Sequence, residues 1–476
     1  MLSTFIILNV MGCKNNASTC ESKCDSKCEP ACCSINPVVV SGPMLGHVSM
    51  RSANVWAQVD AKSDLAMSYW EMGVDETGSQ LTEWKVASSS TAFSAQFEIG
   101  NLEPGRKYQA VLFANGAALG DTISITTQTL WDYRIDPPDF KAVVGSCVFV
   151  NDSIYDRPGK GYGGEYKVFE SIVNVAPDMM LWLGDNVYLR EVDFQSFSGY
   201  LYRYTHTRAL PEMQDLLMAC PNYAIWDDHD FGPNDADMSW IHRDWAQEAF
   251  KTFWANPSYG APSGADNVGT AFRFNDVEFF LLDNRSNRIH PNNRTQDLKV
   301  LGDDQLDWLI AALNKSYAPF KMVALGGQFL NDVAKHENMA NYPERQEIID
   351  RIEEEHIHGV IFLTGDRHCT DMSRLELEGG AVIHDLTVSP LTSGAYDSSK
   401  EHILRSAEDS LRNLKTDYID VLLIHRPDFL MNPDEVGEAF ELLYRSGKVR
   451  SFGVSNFTSS QVELLSSAVP IGVHRL

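Results

Sequence analysis

The sequence predicts a protein of the α/β (α+β) class, and three observations support this class. Short runs of alternating or aromatic-rich residues, separated by Gly, Asn, Asp and Ser, predict a β domain over 37–135. Short apolar strands then alternate with longer helical patterns over 140–397, which predicts an α/β domain. Hydrophobic residues make up 44% of the 476 residues, so each domain can bury a core.

The β domain is predicted from four runs: "NVWAQVD", "LAMSYWEM", "FSAQFEIG" and "YQAVLFAN". The stretch "LEPGRKYQAVLFANG" resembles fibronectin type III modules, in which a tyrosine, here Tyr108, anchors the corner between strands. This resemblance implies a β sandwich of about 90 residues.

The strands of the α/β domain are predicted at "KAVV", "MMLWL", "YAIW", "VEFFLL", "KMVAL" and "GVIFLT". Helices are predicted at "GDDQLDWLIAAL", which has acids in its first turn, and at "PERQEIIDRIEEEHI". Small or polar groups follow each strand at once. Because ligands of α/β sheets bind beyond the carboxyl ends of strands, this pattern predicts a site at that edge.

The formal net charge of −26 argues against a nucleic-acid-binding surface, since phosphate backbones would be repelled. An acidic excess instead suits cation binding. The apolar run 2–11 is too short to span a bilayer. With "VMGC" it resembles a secretory signal ending in a bacterial lipoprotein box over 1–13, although the basic segment expected before it is missing. This resemblance implies export to the periplasm or cell surface and a lipid anchor at Cys13; a floppy apolar terminus is the alternative.

A cysteine-rich spacer is predicted over 14–36, where Cys20, Cys24, Cys28 and Cys32 recur every four residues and Cys33 follows the last. The spacing does not match the C-x2-C pairs of familiar zinc sites. Disulfides, a simple spacer and a soft-metal site remain open for this segment.

The segment "IWDDHDFGPNDAD", residues 225–237, contains five aspartates. Like charges so close either surround a positive centre or point apart into water. One Asp after a strand is usually a helix cap, but several together are hard to explain in that way.

Four short motifs stand in order at strand ends: "GSC", "LGDNVY", "WDDHD" and "TGDRH". In this order they resemble the alkaline phosphatase D (PhoD-like) family of calcineurin-like metallophosphatases, over about 37–397. The resemblance implies a four-layer α/β/β/α sandwich and hydrolysis of phosphate monoesters or diesters. It also implies a metal-activated hydroxide at a binuclear site.

The resemblance assigns metal ligands residue by residue: Cys147, Asp185, Tyr188, Asp228, Asp366 and His368. Asp185 matches the family's bridging carboxylate. The thiolate and phenolate favour a ferric ion, and the carboxylates of Asp228 and Asp366 suit calcium, with other divalent ions also open. Taken alone, Cys147 reads as an inert buried thiol and Tyr188 as a packed aromatic residue.

His229 matches the histidine that contacts the phosphoryl group, where it could protonate the leaving oxygen. Asn186, Arg285 and Arg288 could clamp phosphate oxygens, and an ordinary structural role is equally open for each. Asn234 is a further candidate ligand or substrate contact. Supporting, capping or surface roles are expected for the remaining aspartates of the segment: Asp227, Asp230, Asp235 and Asp237.

From residue 399 the sequence resembles an internal fragment of an aldo-keto reductase, over 399–470 of the segment 399–476. His425 matches a histidine of that family's catalytic tetrad, and Ser455 and Asn456 match its nicotinamide contacts. The tetrad's aspartate, tyrosine and lysine have no place here. The resemblance therefore implies a partial (β/α) barrel without reductase activity.

The leading interpretation is a phosphoric ester hydrolase of the alkaline phosphatase D type. Two alternatives are an NAD(P)-dependent aldo-keto reductase, which the incomplete tetrad disfavours, and a non-catalytic surface binding protein built on the β sandwich. The change of family at Ser399 is explained by a recombined or mis-assembled reading frame or by a true fusion. The oligomeric state stays open.

Overall fold

The computed structural model describes residues 37–73, 78–159, 161–164, 166–262, 264–333, 338–394, 398–425, 431–455, 457–469 and 472–475. The predicted signal segment with Cys13 and the cysteine-rich spacer lie outside these residues. None of the described helices is long and apolar enough to cross a membrane.

The N-terminal domain is a β sandwich. Its strands are β1 (Val39–Val48), β2 (Ala53–Val59), β3 (Ser63–Glu71), β4 (Gln80–Leu81), β5 (Lys85–Ala87), β6 (Ser94–Ile99), β7 (Lys107–Ala114) and β8 (Ala117–Thr126). One sheet has the order β1-β2-β6 and the other β4-β3-β7-β8, with β5 paired to β3. The Tyr108 hydroxyl accepts a hydrogen bond from the Glu103 backbone N–H at 2.9 Å, so Tyr108 anchors a strand corner as predicted.

A parallel three-stranded sheet of order β11-β10-β9 begins the α/β domain. Its strands are β9 (Ala142–Gly145), β10 (Met179–Leu183) and β11 (Asn222–Ile225). The helices of this half are α1 (Val168–Asn174), α2 (Phe197–Arg208), α3 (Pro211–Ala219), α4 (Asp228–Phe231) and α5 (Arg243–Phe253).

A mixed six-stranded sheet of order β12-β13-β14-β15-β17-β16 forms the other half. Its strands are β12 (Thr270–Phe274), β13 (Val277–Leu281), β14 (Phe320–Leu325), β15 (Val360–Thr364), β16 (Asp371–Glu376) and β17 (Val382–Thr387). Strands β13, β14, β15 and β17 run parallel, and β12 and β16 pair antiparallel at the edges. Helices α6 (Asp303–Lys315) and α7 (Pro343–Glu354) belong to this half.

The two sheets of the α/β domain pack face to face, as alternate residues of each strand show. Leu181 and Leu183 of β10 lie in one buried cluster with Phe279 and Leu281 of β13. Trp182, between them in sequence, points the other way into a core shared with the helices. The outer face of the six-stranded sheet is covered by α6 and α7. This is the α/β/β/α order expected for the domain.

The tail forms a small α/β unit of its own. Its elements are α8 (Lys400–Leu414), β18 (Ile419–Ile424), α9 (Pro433–Arg445), β19 (Val449–Ser455), α10 (Ser459–Ser466) and β20 (Val473–Arg475). The three strands pair in parallel in the order β18-β19-β20. In the described part of the chain they do not close into a barrel, so the predicted partial barrel is confirmed.

Deletion of 399–476 should leave the remaining domains folded, because among the described residues the buried core of the tail contains only tail residues. We expect the melting temperature of the α/β domain to shift by less than about 2 °C, as measured by calorimetry. A large fall, or loss of soluble protein, would show that the tail stabilises the α/β core.

Candidate functional site

Four loops that follow strand ends bring the predicted site residues together. Cys147 lies after β9, Asp185 after β10, Asp228 at the start of α4 after β11, and Asp366 and His368 after β15. All of these except Asp228 have a positive φ, between 52° and 67°. A side chain with this backbone costs about 1–3 kcal/mol and persists where surrounding contacts hold it. The Cys147 N–H, for example, donates to the Gly184 carbonyl at 3.1 Å.

Cys147 is fully buried at the floor of the site. Its Sγ accepts hydrogen bonds from Ser146 Oγ at 3.3 Å and Ser389 Oγ at 3.1 Å. It also lies 3.5 Å from Asp185 Oδ2. Burial, and then the charges of Asp185 and Asp366, raise the pKa of the thiol well above its usual value. A nearby cation would be needed to keep the thiolate ionised.

Asp185 lies at the centre of the site and is almost fully buried. Its Oδ2 accepts from the Tyr188 hydroxyl at 3.1 Å, and its Oδ1 accepts from the His229 backbone N–H at 3.3 Å. Burial, followed by the charges of Asp228 and Asp227, raises the pKa of Asp185 well above its usual value. Burial and the Asp185 charge likewise raise the pKa of Tyr188. Burial thus favours the protonated forms of Asp185 and Tyr188, and each must lose its proton to bind a cation.

His368 faces the same centre from the opposite sheet. Its Nε2 lies 3.0 Å from Tyr188 Oη and 3.1 Å from Ser393 Oγ. Its Nδ1 lies 2.9 Å from the hydroxyl of Tyr162. Burial, and then the charge of His229, lower the pKa of His368 to about 4. The imidazole is therefore neutral at pH 7, which is the form that binds metals.

The aspartate-rich segment is compensated in part by a buried arginine. Asp227 Oδ1 accepts from Arg285 Nε at 2.6 Å and from Asn284 Nδ2 at 2.7 Å. Both Asp227 and Arg285 are fully buried. Arg285 Nη2 also lies 3.7 Å from Asp228 Oδ1. The Arg285 guanidinium thus supplies one positive charge beside these aspartates.

The other aspartates of the segment have structural contacts. Asp230 accepts backbone N–H bonds from Asp227 at 2.9 Å and Asn186 at 3.1 Å. Burial raises the pKa of Asp230 to about 7 in spite of these bonds. The Asp235 N–H donates to Asp228 Oδ2 at 2.7 Å, and Asp237 Oδ1 accepts from the Ser239 N–H at 2.9 Å. These roles agree with the supporting and capping roles expected from the sequence.

His229 stands at the open side of the cluster. Its ring packs on the Tyr188 ring with centroids 4.2 Å apart, and its Nε2 lies 3.9 Å from Asp228 Oδ2. Its side chain is 23% exposed, against 3% for Asp228, so a ligand from solvent can reach the imidazole.

Three overlapping groups of side chains are spaced so that each could hold a metal ion, with ligand atoms within 4.8 Å of one another. The groups are Cys147–Asp185–His368, Asp185–Asp228–His229 and Asp227–Asp228–Asp366. Five of the six predicted ligands are in these groups, and Tyr188 bonds to two of them. The groups also contain Asp227 and His229, for which the sequence suggested other roles.

Buried oxygen atoms provide a second test of whether cations fit. Within the described residues, Asn186 Oδ1, Asn284 Oδ1 and Asp228 Oδ1 are buried and accept no hydrogen bond. A buried oxygen without a donor is costly unless a cation or water approaches it. The Asn284 amide contacts Asp227, and Asp228 belongs to two of the groups above. This donor set of carboxylate, amide, thiol, phenol and imidazole fits metal binding.

The predicted phosphate-clamping residues have internal contacts in the structure. Asn186 Nδ2 donates to the Ile225 carbonyl at 2.8 Å, and the Arg288 guanidinium stacks over Tyr342 at 5.0 Å. Arg285 is buried against Asp227 as described. The structural role left open for each is thus observed, and contact with phosphate stays a prediction. Asn234, the further candidate, lies in the exposed turn after α4.

Sequence reasoning missed several residues that surround the predicted ligands: Asn284, Ser389, Ser393 and Tyr162. The two serines follow the end of β17, so the rule of polar groups after strand ends could have found them. Tyr162 lies in a glycine-rich loop far from any strand end, and no signal in the sequence indicated its contact.

Among the predicted reductase residues, the structure describes His425 and Ser455, and neither belongs to the three groups. His425 is exposed just after β18, and Ser455 ends β19. Asn456 lies outside the described residues.

The four-layer sandwich carries carboxylates, a thiol, a phenol and imidazoles at its strand ends, and this donor set suits a metal-dependent hydrolase. A family model described as "PhoD-like phosphatase" matches residues 146–421, and the chain belongs to this family. Members of this family depend on metal ions.

A comparison with solved structures supports the fold. The chain is similar to a structure described as "Structure of PhoD", with a TM-score of 0.61 and 18% identity. The match covers 74% of this chain and 77% of that chain.

The tail is similar to a different family. An "Aldo/keto reductase family" model matches residues 390–475. Oxidoreductase YdhF of Escherichia coli is 60% identical over 77 residues, which are 16% of this chain and 26% of that protein. The uncharacterized oxidoreductase YcsN of Bacillus subtilis is 63% identical over 75 residues, 16% of this chain and 25% of that protein. The chain thus spans about a quarter of the length of these relatives, so the tail is a reductase-like fragment.

Replacement of Arg285 by Met should leave the Asp227 carboxylate buried and uncompensated. We expect the free energy of unfolding of the metal-free protein at pH 7 to fall by about 3–5 kcal/mol in urea denaturation. Arg157→Met is the control, because its pair with Glu191 is exposed and should contribute less than about 1 kcal/mol. Equal losses in the two variants would contradict this role of Arg285.

Proposed function

We propose that this protein hydrolyses phosphate monoesters or diesters at the cluster around Asp185, with the help of two metal ions. One observation carries the proposal: Asp185 belongs to two of the three metal-binding groups. A carboxylate shared in this way is suited to bridge two cations. The same carboxylate occupies the bridging position in the family resemblance of the "GDNVY" motif.

The two sides of Asp185 offer different ligand chemistry. On one side, Cys147, Tyr188 and His368 supply thiolate, phenolate and imidazole donors, which favour a ferric ion. On the other side, Asp228 shares one group with Asp185 and another with Asp366, and these carboxylate oxygens suit calcium. Bound there, two cations would stabilise negative charge on the attacking and leaving oxygens of the phosphoryl group.

The protonation of the ligands couples metal binding to pH. The pKa values of Cys147, Asp185 and Tyr188 are all raised well above their usual values by burial and by neighbouring charges. Each must lose its proton to bind a cation, so binding releases protons and metal affinity rises with pH. Metal affinity that rises with pH suits an enzyme that works above neutral pH.

The protein's own residues would manage protons and orientation. His229 lies at the open side of the cluster, where 23% of its side chain is exposed, so we assign to it the proton for the leaving oxygen. The Tyr188 ring fixes the plane of the His229 imidazole. Arg285 holds Asp227 in place and lies 3.7 Å from Asp228 Oδ1.

The two alternative functions have less support. A reductase would need groups that the tail fragment lacks, and the matched tail spans about a quarter of its relatives. A non-catalytic binding protein would not need the buried groups around Asp185. We also propose export and a lipid anchor at Cys13, for which the "VMGC" segment is the sole support.

Replacement of Asp185 by Asn should abolish ester hydrolysis while the fold is kept. The neutral amide resembles the protonated carboxyl that burial favours in the metal-free protein, so folding should be unaffected. Loss of a shared ligand should lower turnover of an aryl phosphate ester by at least about 10²-fold, or about 2.7 kcal/mol in the barrier.

Asp215→Asn, on the exposed side of α3, is the matched control and should keep wild-type turnover. Wild-type turnover in Asp185→Asn, with two metal ions bound per chain, would show that the site is assigned wrongly.

Replacement of Tyr188 by Phe should test the iron assignment. Phenolate and thiolate ligands donate charge into a ferric ion, so the iron-loaded protein should absorb visible light. Phe keeps the ring on His229 but removes the oxygen, so the band should shift or fade and turnover should fall. Circular dichroism should show an unchanged fold. An active, colourless protein without iron would contradict the ferric site and leave another pair of ions.

A further inference from the structure

We propose that Tyr162 is a positioning residue, whose hydroxyl holds the His368 ring with Nε2 facing the metal cluster. This inference rests on the proposed function, since it concerns how one of the proposed ligands is oriented. Tyr162 lies 26 residues before Tyr188 and belongs to none of the motifs that the sequence analysis identified.

The first observation is the contact itself. The Tyr162 hydroxyl lies 2.9 Å from His368 Nδ1, and the two ring centroids are 5.9 Å apart. The Tyr162 ring also packs on Phe149, with centroids 5.0 Å apart at 73°. The ring therefore packs on Phe149 while its hydroxyl is directed at the imidazole, and 47% of the residue is exposed.

The second observation is that the backbone around Tyr162 is held by specific bonds. The Gly163 N–H donates to Asn151 Oδ1 at 2.8 Å, and Asn151 Nδ2 donates to the Gly163 carbonyl at 3.0 Å. The Gly164 N–H donates to the Thr392 carbonyl at 2.6 Å. A Cβ at Gly163 would lie 2.6 Å from the Phe149 carbonyl oxygen, so the close approach requires glycine. These bonds hold the backbone at Gly163 and Gly164, directly after Tyr162.

The chemistry of the imidazole supplies the remaining step. A neutral imidazole carries one N–H and one lone pair, and the partner of one nitrogen selects the state of the other. Nε2 faces the cluster, since it lies 3.0 Å from Tyr188 Oη, which itself bonds Asp185. To bind a cation there, Nε2 must be the lone-pair nitrogen, so Nδ1 carries the proton. Tyr162 Oη is then the acceptor of the Nδ1–H bond, as expected for the outer partner of a metal-binding histidine.

Two features limit how large the effect of Tyr162 can be. The backbone of Gly394 also bonds the His368 imidazole, so the ring keeps a second partner when the hydroxyl is removed. The His368 N–H also donates to Ser389 Oγ at 3.1 Å, which holds the backbone of the residue. We therefore expect a weakened metal site after loss of the hydroxyl, with the ligand still present.

The experiment measures Zn²⁺ affinity of the full-length protein by competition with a chromophoric chelator. Zn²⁺ accepts thiolate, imidazole and carboxylate ligands, so it is a suitable probe of the group with Cys147 and Asp185. Tyr162→Phe should weaken Zn²⁺ binding by at least about tenfold, the usual effect of losing an outer-shell partner. In a His368→Ala background the same change should have no further effect.

Tyr166→Phe is the matched control. Its hydroxyl accepts from the Asn151 N–H at 2.8 Å, so this variant removes a hydroxyl that supports the same loop without touching His368. We expect its Zn²⁺ affinity to stay within about twofold of wild type, because the His368 tautomer is unaffected.

The outcomes separate the inference from the proposed function. If the wild-type protein takes up no Zn²⁺, the proposed metal-dependent function is overturned. If wild type binds Zn²⁺ and Tyr162→Phe binds it equally well, the positioning role alone is overturned. Equal losses in Tyr162→Phe and Tyr166→Phe, or a loss that persists without the His368 ring, would assign the effect to loop support and would also overturn that role.

Discussion

The concentration of buried acidic groups at one edge of the sandwich is the constraint on which the rest of the site depends. Asp185, Asp227, Asp228 and Asp230 are all at most 2% exposed, and burial, followed by the charges of the other three, raises the pKa of Asp185. Such a group of charges is stable only with compensating positive charge or bound protons. Arg285 supplies positive charge beside Asp227. Burial raises the pKa of Asp185, which favours its protonated form.

The fold stabilises this concentration of buried acidic groups by fixing the loops that carry them. Arg190, itself buried, bonds the carbonyl of Tyr188 and, at 3.0 Å, the carbonyl of Val150. It thereby joins the loop after β9 to the loop after β10. Asp193 and Arg203 extend this support into the helical layer through a 2.8 Å bond. A rigid frame is needed because strained positive-φ residues and like charges would otherwise relax apart.

The tail packs as a unit of its own. Its helices cover one side of three parallel strands, and its core contains only its own residues. Part of β18 is exposed, as with Val421, at a place where a complete barrel would add further strands. The tail therefore adds a folded unit without adding groups to the site around Asp185, in agreement with the change of resemblance at Ser399.

The sequence by itself determined the strands and the strand ends that form the site, because hydrophobic period and polar residues after strands are local signals. The order of layers and the proposed ligands came from the family resemblance of the four motifs. The sequence also indicated the Tyr108 corner. Only the tertiary structure decided that Arg285 compensates Asp227, 58 residues away, and that Tyr162 meets His368, 206 residues away. Such pairings depend on burial and on which loops meet at one sheet edge. These are properties of the packed layers, which no short stretch of sequence encodes.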